Sequence, residues 1–342
     1  MDQSTITLSF LTPYYHQGRG NATTARRIVT GLEEMKIATN VVAYSEEIFS
    51  HETAKELEHS CLFHVLHFRR FAEWLEASNY QIKKPYIITS GGTDVNIDIF
   101  KHEYQEKIGE VLKKAAAITV FSEDAKQKLA GIYPDLVSRI HIIKQSVWFP
   151  ESIPASQFLN GDRIGPNILL PAGLRAVKDV LYVLPALIEL KKQFPGLTFT
   201  ILGAPLETGI VNAVKKAQVT YPWIQYVEEV PLEEMQAVYE QSDLVINTSL
   251  SEGQSSALLE AMYLGKPVIA RKNGGNQSII RHGETGYLFE TPSNFYEQVQ
   301  HLVMNEPLKN SIAQNGQAYV KENHTLNEEM TKYIQLYKEV IG

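Results

Sequence analysis

The feature that most constrains this chain is a rhythm of short apolar runs alternating with longer amphipathic stretches. It occurs twice, on either side of a stretch rich in proline and glycine. A short apolar run bounded by turn residues reads as a buried strand, and an apolar stripe at helical spacing reads as a helix. Units of this length, alternating, imply a parallel, doubly wound sheet. In the first half, residues 5–12 read as a strand, 16–21 as a loop and 24–36 as a helix with Ile28, Val29, Leu32 and Met35 on one face. Strands follow at 39–44, 61–67, 86–89, 117–121 and 139–145, with helices at 68–77, 103–114 and 122–129. Ser122 fits an N-cap, with Glu123 and Asp124 in the first turn. The rhythm restarts with strands at 167–171, 197–203, 224–227, 244–246 and 267–270, helices between them, and a helical tail after Pro292.

The expected class is α/β, with two Rossmann-like domains facing each other across a cleft. The domains would cover residues 1–150 and 167–325, joined by a linker over 151–166 that holds Pro154, Gly161, Gly165 and Pro166. A last helix over 326–342 is expected to pack back on the first domain. At 342 residues each domain has room for its own core. With 44% apolar and 21% charged residues the composition is that of an ordinary globular protein.

Bulk properties exclude several function classes. A net charge of −7 argues against nucleic acid as a partner. The single cysteine, Cys61, excludes an internal disulfide and fits a reducing compartment. Its neighbours are apolar, so a buried structural thiol is expected. No apolar run approaches the roughly 18 residues of a membrane span. The N-terminus lacks the basic and apolar regions of a signal peptide. The expected location is the cytoplasm. Nothing fixes the oligomeric state. No His-x-x-His, Cys cluster or Asp-x-Asp stands at metal spacing, so no metal and no cofactor are expected.

Ligands of such sheets bind beyond the carboxyl ends of the strands. After the first strand lies Gly18-Arg-Gly20-Asn21, a loop that either makes a tight turn or brings its amides to a phosphate; the third glycine of a dinucleotide fingerprint is missing. His67, Arg69 and Arg70 follow the third strand. His64 lies inside that strand and reads as a core histidine. Gly91, Gly92, Thr93 and Asp94 follow the fourth. Gly173, Arg175 and Lys178 follow the first strand of the second half. Two cations three residues apart suit a diphosphate if a helix begins there, since cations at a helix start oppose its dipole and need another reason to be present.

The segment Ser249-Leu-Ser-Glu252-Gly253-Gln254-Ser255-Ser256-Ala-Leu-Leu-Glu260-Ala-Met262 joins an apolar strand to a helix. Free amides at a helix start favour an anion. Glu252 and Glu260 bracket that start, about 12 Å apart along a helix of this rise. That span matches a nucleoside diphosphate-sugar, with one acid at each end and the amides on the phosphates. A plain Ser-capped helix with two surface glutamates is the other reading.

Together with Gly265-Lys-Pro-Val-Ile-Ala, Gly274-Gly275 and Gly283-Glu-Thr-Gly-Tyr-Leu-Phe, this segment resembles the retaining glycosyltransferases of family 4, whose architecture is the GT-B fold. The resemblance covers roughly residues 167–305. Gly20-Asn21-Ala-x-Thr24-Ala-x-Arg27 and Gly91-Gly92-Thr93-Asp94-Val-Asn96 are similar to the narrower group of glycosyltransferase 1 domain-containing protein 1, and more distantly to selenosugar synthases. The resemblance implies Glu252 on the donor-sugar hydroxyls, Glu260 on the ribose, Arg175 and Lys178 on the diphosphate, and Gly18 and Gly20 near the phosphates. It also implies donor contacts at Asn21, Gly173, Gly253, Gln254, Ser255 and Ser256, with Thr93, Asp94 and Asn276 on the acceptor or sugar side. Many relatives have His-Gly-x-Asp where this chain has Gly91-Gly92-Thr93-Asp94, and His67 is the candidate replacement. Glu-Gly-Phe-Gly is here Glu252-Gly253-Gln254-Ser255, and a Pro-Glu pair is here Asn276-Gln277.

The expected activity is retaining transfer of a sugar from a nucleoside diphosphate donor, UDP-linked, to an unidentified acceptor without a metal. The alternatives are a sugar-nucleotide enzyme with an inorganic or small-molecule acceptor, a GT-B epimerase, and a catalytically silent sugar-nucleotide sensor.

Overall fold

The computed structural model describes residues 6–17, 20–151 and 165–342, so Gly18 and most of the expected linker lie outside the described residues. The chain divides into two compact units, Met1–Gln145 with Leu326–Gly342, and Ser146–Thr325.

In the first unit, β1 (Thr7–Thr12), β2 (Ala38–Ala43), β3 (Leu62–Leu66), β4 (Tyr86–Thr89), β5 (Ala117–Val120) and β6 (Ile140–Ile142) form a parallel sheet of order β2-β1-β3-β4-β5-β6. Its helices are α1 (Gly20–Glu34), α2 (His51–Glu58), α3 (Phe68–Ser78), α4 (Thr93–Asn96), α5 (His102–Lys114) and α6 (Glu123–Ile132). In the second unit, β7 (Asn167–Pro171), β8 (Thr198–Leu202), β9 (Ile224–Val227), β10 (Leu244–Asn247), β11 (Val268–Arg271) and β12 (Tyr287–Phe289) form a parallel sheet of order β12-β11-β10-β7-β8-β9. Its helices are α7 (Leu184–Gln193), α8 (Thr208–Thr220), α9 (Met235–Glu240), α10 (Ser256–Tyr263), α11 (Gly274–Gln277), α12 (Pro292–Met304) and α13 (Glu306–Asn323). The strand order reverses between β1 and β3 in one sheet and between β7 and β10 in the other, and such switch points are where open α/β sheets hold ligands.

Both sheets are buried on two faces, which is why their strands read as continuous apolar runs. Along β1, Leu8 and Phe10 face the layer containing Ile28 and Leu32 of α1, while Leu11 faces Phe71 and Trp74 of α3. Each such fully buried side chain contributes about 1.5–3 kcal/mol. In the second sheet Ile168 and Leu170 face one layer and Leu169 the other.

The last helix, α14 (Leu326–Ile341), belongs to the first unit, as the sequence implies. Met330, Tyr333 and Tyr337 join the α1 layer. Polar contacts fix its position. Arg27 donates to both oxygens of Glu329, each at 3.0 Å, with both side chains buried. His64 Nδ1 lies 2.6 Å from Tyr337 Oη and its Nε2 lies 2.7 Å from Thr89 Oγ1. Burial drops the His64 pKa to about 3, so the imidazole is neutral at physiological pH. This is the core histidine that its place inside β3 suggests.

Several expectations need correction. The first helix begins at Gly20, so Gly20 and Asn21 belong to its first turn and not to the preceding loop; a polar first turn carries no periodic signal. Helix α2 buries only Leu57 and has no apolar stripe to read. Strand β12 is only three residues long, too short for any period. Cys61 is half-buried just before β3, its sulfur 3.3 Å from Thr7 Oγ1, and not fully enclosed. Among the described residues no helix is long and apolar enough to cross a membrane.

Candidate functional site

The second sheet's switch point gathers the chemistry foreseen in sequence. The loop after β7 carries Arg175 and Lys178, and the loop after β10 carries Ser249 and Glu252. Two hydrogen bonds knit the loops together. Leu250 N donates to Val177 O at 2.9 Å, and Thr248 Oγ1 donates to Lys178 O at 2.8 Å. Lys178 Nζ then meets Glu252 Oε1 at 2.5 Å. The same oxygen accepts from Ser249 Oγ at 2.7 Å and Asn247 Nδ2 at 3.1 Å. Burial alone would raise the Glu252 pKa. The Lys178 charge and the hydrogen bonds from Lys178, Ser249 and Asn247 outweigh it, and the net shift is downward. Glu252 is therefore ionised at neutral pH in a largely enclosed setting.

The local backbone around Arg175 differs from the expected helix start. Ala176–Lys178 is a single 3-10 turn and α7 begins only at Leu184. The dipole of a long helix therefore does not bear on the two cations, and for Lys178 the reason lies in the pairing just described. Arg175 is half-buried, enters no ion pair among the described residues, and its buried Nε has no hydrogen-bond acceptor. Gly173 lies two residues earlier on the same loop.

Two asparagines set the carboxylate. Asn247, at the end of β10, gives its amide nitrogen to Glu252 and to Ser255 Oγ at 3.2 Å, and its oxygen accepts from Asn276 Nδ2 at 3.1 Å. Asn276 is fully buried and also donates to Arg271 O at 2.8 Å. It therefore stands behind Glu252, through Asn247. Sequence reasoning missed Asn247 and Ser249, although both flank the strand end before Glu252, where such groups are to be sought. Gly275, at the start of α11, is forced by this packing. A β-carbon there would lie 2.4 Å from the Glu252 carbonyl oxygen.

Along α10 the geometry continues. Ser255 is its N-cap and accepts from Leu258 N at 3.4 Å. Gln254 is buried and donates to Ser278 Oγ at 3.1 Å. Gly253 and Ser256 are half-buried beside it. Glu260 is buried about one turn into the helix and accepts from Tyr239 Oη at 2.7 Å. Tyr239 was not foreseen, since its helix α9 is short. Burial, then the Glu260 charge, holds its phenol well above the ordinary range.

The first unit carries a separate group at its strand edge. His67 follows β3 with φ +78° and ψ 98°, a conformation that costs a non-glycine residue energy and is held only by its surroundings. Its Nδ1 lies 3.7 Å from Asp94 Oδ2. Burial lowers the His67 pKa, and the Asp94 charge only partly restores it. Asp94 is fully buried and accepts from Phe68 N at 3.0 Å, Gly91 N at 3.2 Å and Ser90 Oγ at 2.9 Å, tying the loops after β3 and β4 together. Thr93 opens α4, half-buried. A β-carbon at residue 91 would lie 3.0 Å from Asn21 Oδ1 and 3.2 Å from His67 Cδ2. The imidazole and the Asn21 amide thus take the space into which a side chain at position 91 would project.

Comparison with known proteins gives a consistent result. A profile of glycosyl transferases group 1 matches residues 160–319. The chain is 32% identical over 257 residues to glycosyltransferase 1 domain-containing protein 1 of Xenopus tropicalis, covering 73% of this chain and 74% of that protein. Among solved structures, HepE of Anabaena in complex with UDP and glucose superposes with a TM-score of 0.77 at 14% identity, covering 98% of this chain and 100% of that one. Sucrose-phosphate synthase of Thermosynechococcus elongatus gives 0.76 at 14% identity, with 98% of each chain covered. The two doubly wound sheets and these neighbours make the fold GT-B.

Proposed function

We propose, since this chain belongs to the glycosyl transferases of group 1, that it is a retaining, family 4 enzyme taking its sugar from a UDP-linked donor. The observation that carries this reading is the Lys178–Glu252 pair at the switch point of the second sheet, beside an unpaired Arg175. HepE, of the same fold, is bound to UDP and glucose, which supports the choice of nucleotide.

In this reading Arg175 and Lys178 receive the diphosphate. A guanidinium matches phosphate oxygens in its plane, and an ammonium supplies a compact charge. Lys178 exchanges Glu252 for phosphate, while Asn247 and Ser249 keep Glu252 oriented toward the sugar hydroxyls. Glu260 holds the ribose end, with Gly173, Gly253, Gln254, Ser255 and Ser256 lining the nucleotide between them. The bond from the anomeric carbon to the diphosphate oxygen breaks, and the acceptor oxygen bonds to that carbon on the same face. The acceptor hydroxyl proton passes to the departing diphosphate. Stabilising the negative charge of the leaving group is the main catalytic contribution. His67 is kept in this reading as the candidate for the missing family histidine, with Thr93 and Asp94 in the acceptor- or sugar-side role and Asn21 in the donor-binding role that the resemblance implies. The charge of the leaving group is neutralised by Arg175 and Lys178 without a metal.

Kinetics of the single variants Lys178→Ala and Glu252→Ala test this. Turnover of a UDP-sugar should fall by about two to three orders of magnitude in each. Wild-type turnover in both would refute the assignment of the site.

A further inference from the structure

Two arginines stand apart from the rest. Arg27, Arg69 and Arg271 are each paired with a carboxylate. Arg26 and Arg139 donate to backbone carbonyls. Arg281 is exposed over the Tyr319 ring. Only Arg175 and Arg70, among the described residues, are half-buried guanidiniums with neither a carboxylate nor a carbonyl partner, and in each the Nε is buried without an acceptor. A partly buried cation with unfilled donors is unfavourable unless an anion completes it.

Arg70 lies in the first turn of α3, after β3, and its partner Tyr14 lies in the loop after β1. These loops flank the point where the strand order of the first sheet reverses. Among the described residues the single hydrogen bond of its guanidinium goes from Nη1 to Tyr14 Oη at 2.8 Å, and the Tyr14 ring packs 5.1 Å from its centre. That contact orients the guanidinium, and Nη2, outside the buried atoms and without an acceptor among the described residues, is the donor left for a ligand. The adjoining residues Tyr15, His16 and Gln17 are pinned by two charged side chains. Glu46 accepts from the amides of Tyr15, His16 and Gln17 at 2.7, 2.9 and 3.0 Å. Arg26 donates to the carbonyls of the same three residues at 2.8, 3.2 and 3.4 Å. Every backbone polar group of that segment is thus held by a charged side chain. A site built on so fixed a loop loses little entropy when it binds.

We infer that Arg70, oriented by Tyr14, is an anion-binding subsite at the switch point of the first sheet, and that the acceptor of this enzyme carries a phosphate or carboxylate group that docks there. The anion itself rests on the geometry of the first unit alone. Calling it the acceptor's rests on the donor reading above.

The test is calorimetry on the full chain saturated with UDP, titrated in one arm with inorganic phosphate and in the other with succinate. At least one of these anions should bind beside UDP, and the arm that binds tells phosphate from carboxylate recognition. Arg70→Met should weaken that binding by about tenfold or more, the loss expected for a charge-assisted contact, while UDP affinity stays unchanged and reports an intact fold. Arg70→Gln keeps a polar group against Tyr14 and removes only the charge, and it should weaken the anion to the same order. Binding of neither anion to the UDP-loaded wild type, or equal binding by Arg70→Gln, overturns the subsite. A wild-type chain that binds no UDP overturns the donor reading, and with it the description of this anion as the acceptor's.

Discussion

Lys178 Nζ sits 2.5 Å from Glu252 Oε1 across two loops that meet at the switch point of the second sheet, and the pair is largely enclosed. Each partner sets the electrostatics of the other. Removing Lys178 leaves Glu252 buried with neutral donors such as Asn247 and Ser249 in place of a cation. The Glu252 pKa should then rise, because burial already pushes it upward and the lysine charge is the largest opposing effect. A carboxylate whose folded pKa is depressed contributes stability above its unfolded value, here 4.5, and loses it as pH falls through the folded value. Lys178→Ala should therefore be less stable than the wild type at neutral pH, and the gap should narrow as pH falls below 4.5, which a pH series of denaturant melts would show.

His64 predicts a second acid effect with a different cause. Its pKa falls from 6.5 to about 3 on burial. Between those values the unfolded chain binds a proton that the folded chain does not. Stability should thus be full above pH 6.5 and decline below it, by about 1.4 kcal/mol per pH unit from this group. His64→Gln should flatten that part of the stability profile, and an unchanged slope would remove the histidine as its source.

The Arg27–Glu329 pair holds α14 to α1 with both side chains buried. Glu329→Ala strands a buried guanidinium and should cost about 3–5 kcal/mol. Replacing both residues by Met and Leu removes the stranded charge and should recover most of that loss. Equilibrium unfolding of the single and double variants measures the difference.

Gly275→Ala places a β-carbon within 2.4 Å of the Glu252 carbonyl oxygen. The neighbouring atom is backbone, so the Glu252 loop must move. A shift of this size at a reacting group costs on the order of a hundredfold in rate. The expected outcome is a fall in kcat for sugar transfer with the first unit's stability unchanged. Wild-type kcat would show that Glu252 need not be held in place.

If Arg175 and Lys178 neutralise the diphosphate, chelators should leave sugar transfer intact. Dialysis against EDTA followed by a turnover assay checks this, and activity restored only by added divalent cation would contradict it.

The alternating strands and helices were legible because each buries an apolar face at its own period. The same period located α14, although its attachment through Arg27, His64 and Tyr337 was not readable, since those partners lie 302 and 273 residues apart. At the site, Glu252, Lys178 and Arg175 could be named because each follows a strand end. Their pairing could not, since it depends on β7 and β10 being neighbours. Asn247 and Asn276 were the hardest to place. Asn247 ends an otherwise apolar strand, and Asn276 acts only through it. Short elements such as α2 and β12 carry too few buried positions to register at all.

The most direct test of the central claim is a calorimetric titration of UDP into the full chain, the wild type beside Arg175→Ala and Lys178→Ala. The wild type should bind one UDP with a dissociation constant within roughly 1 μM to 1 mM. Each variant should lose about tenfold or more of that affinity. No binding by the wild type, or equal affinity in all three, would contradict the assignment of a nucleotide-sugar donor to this switch point.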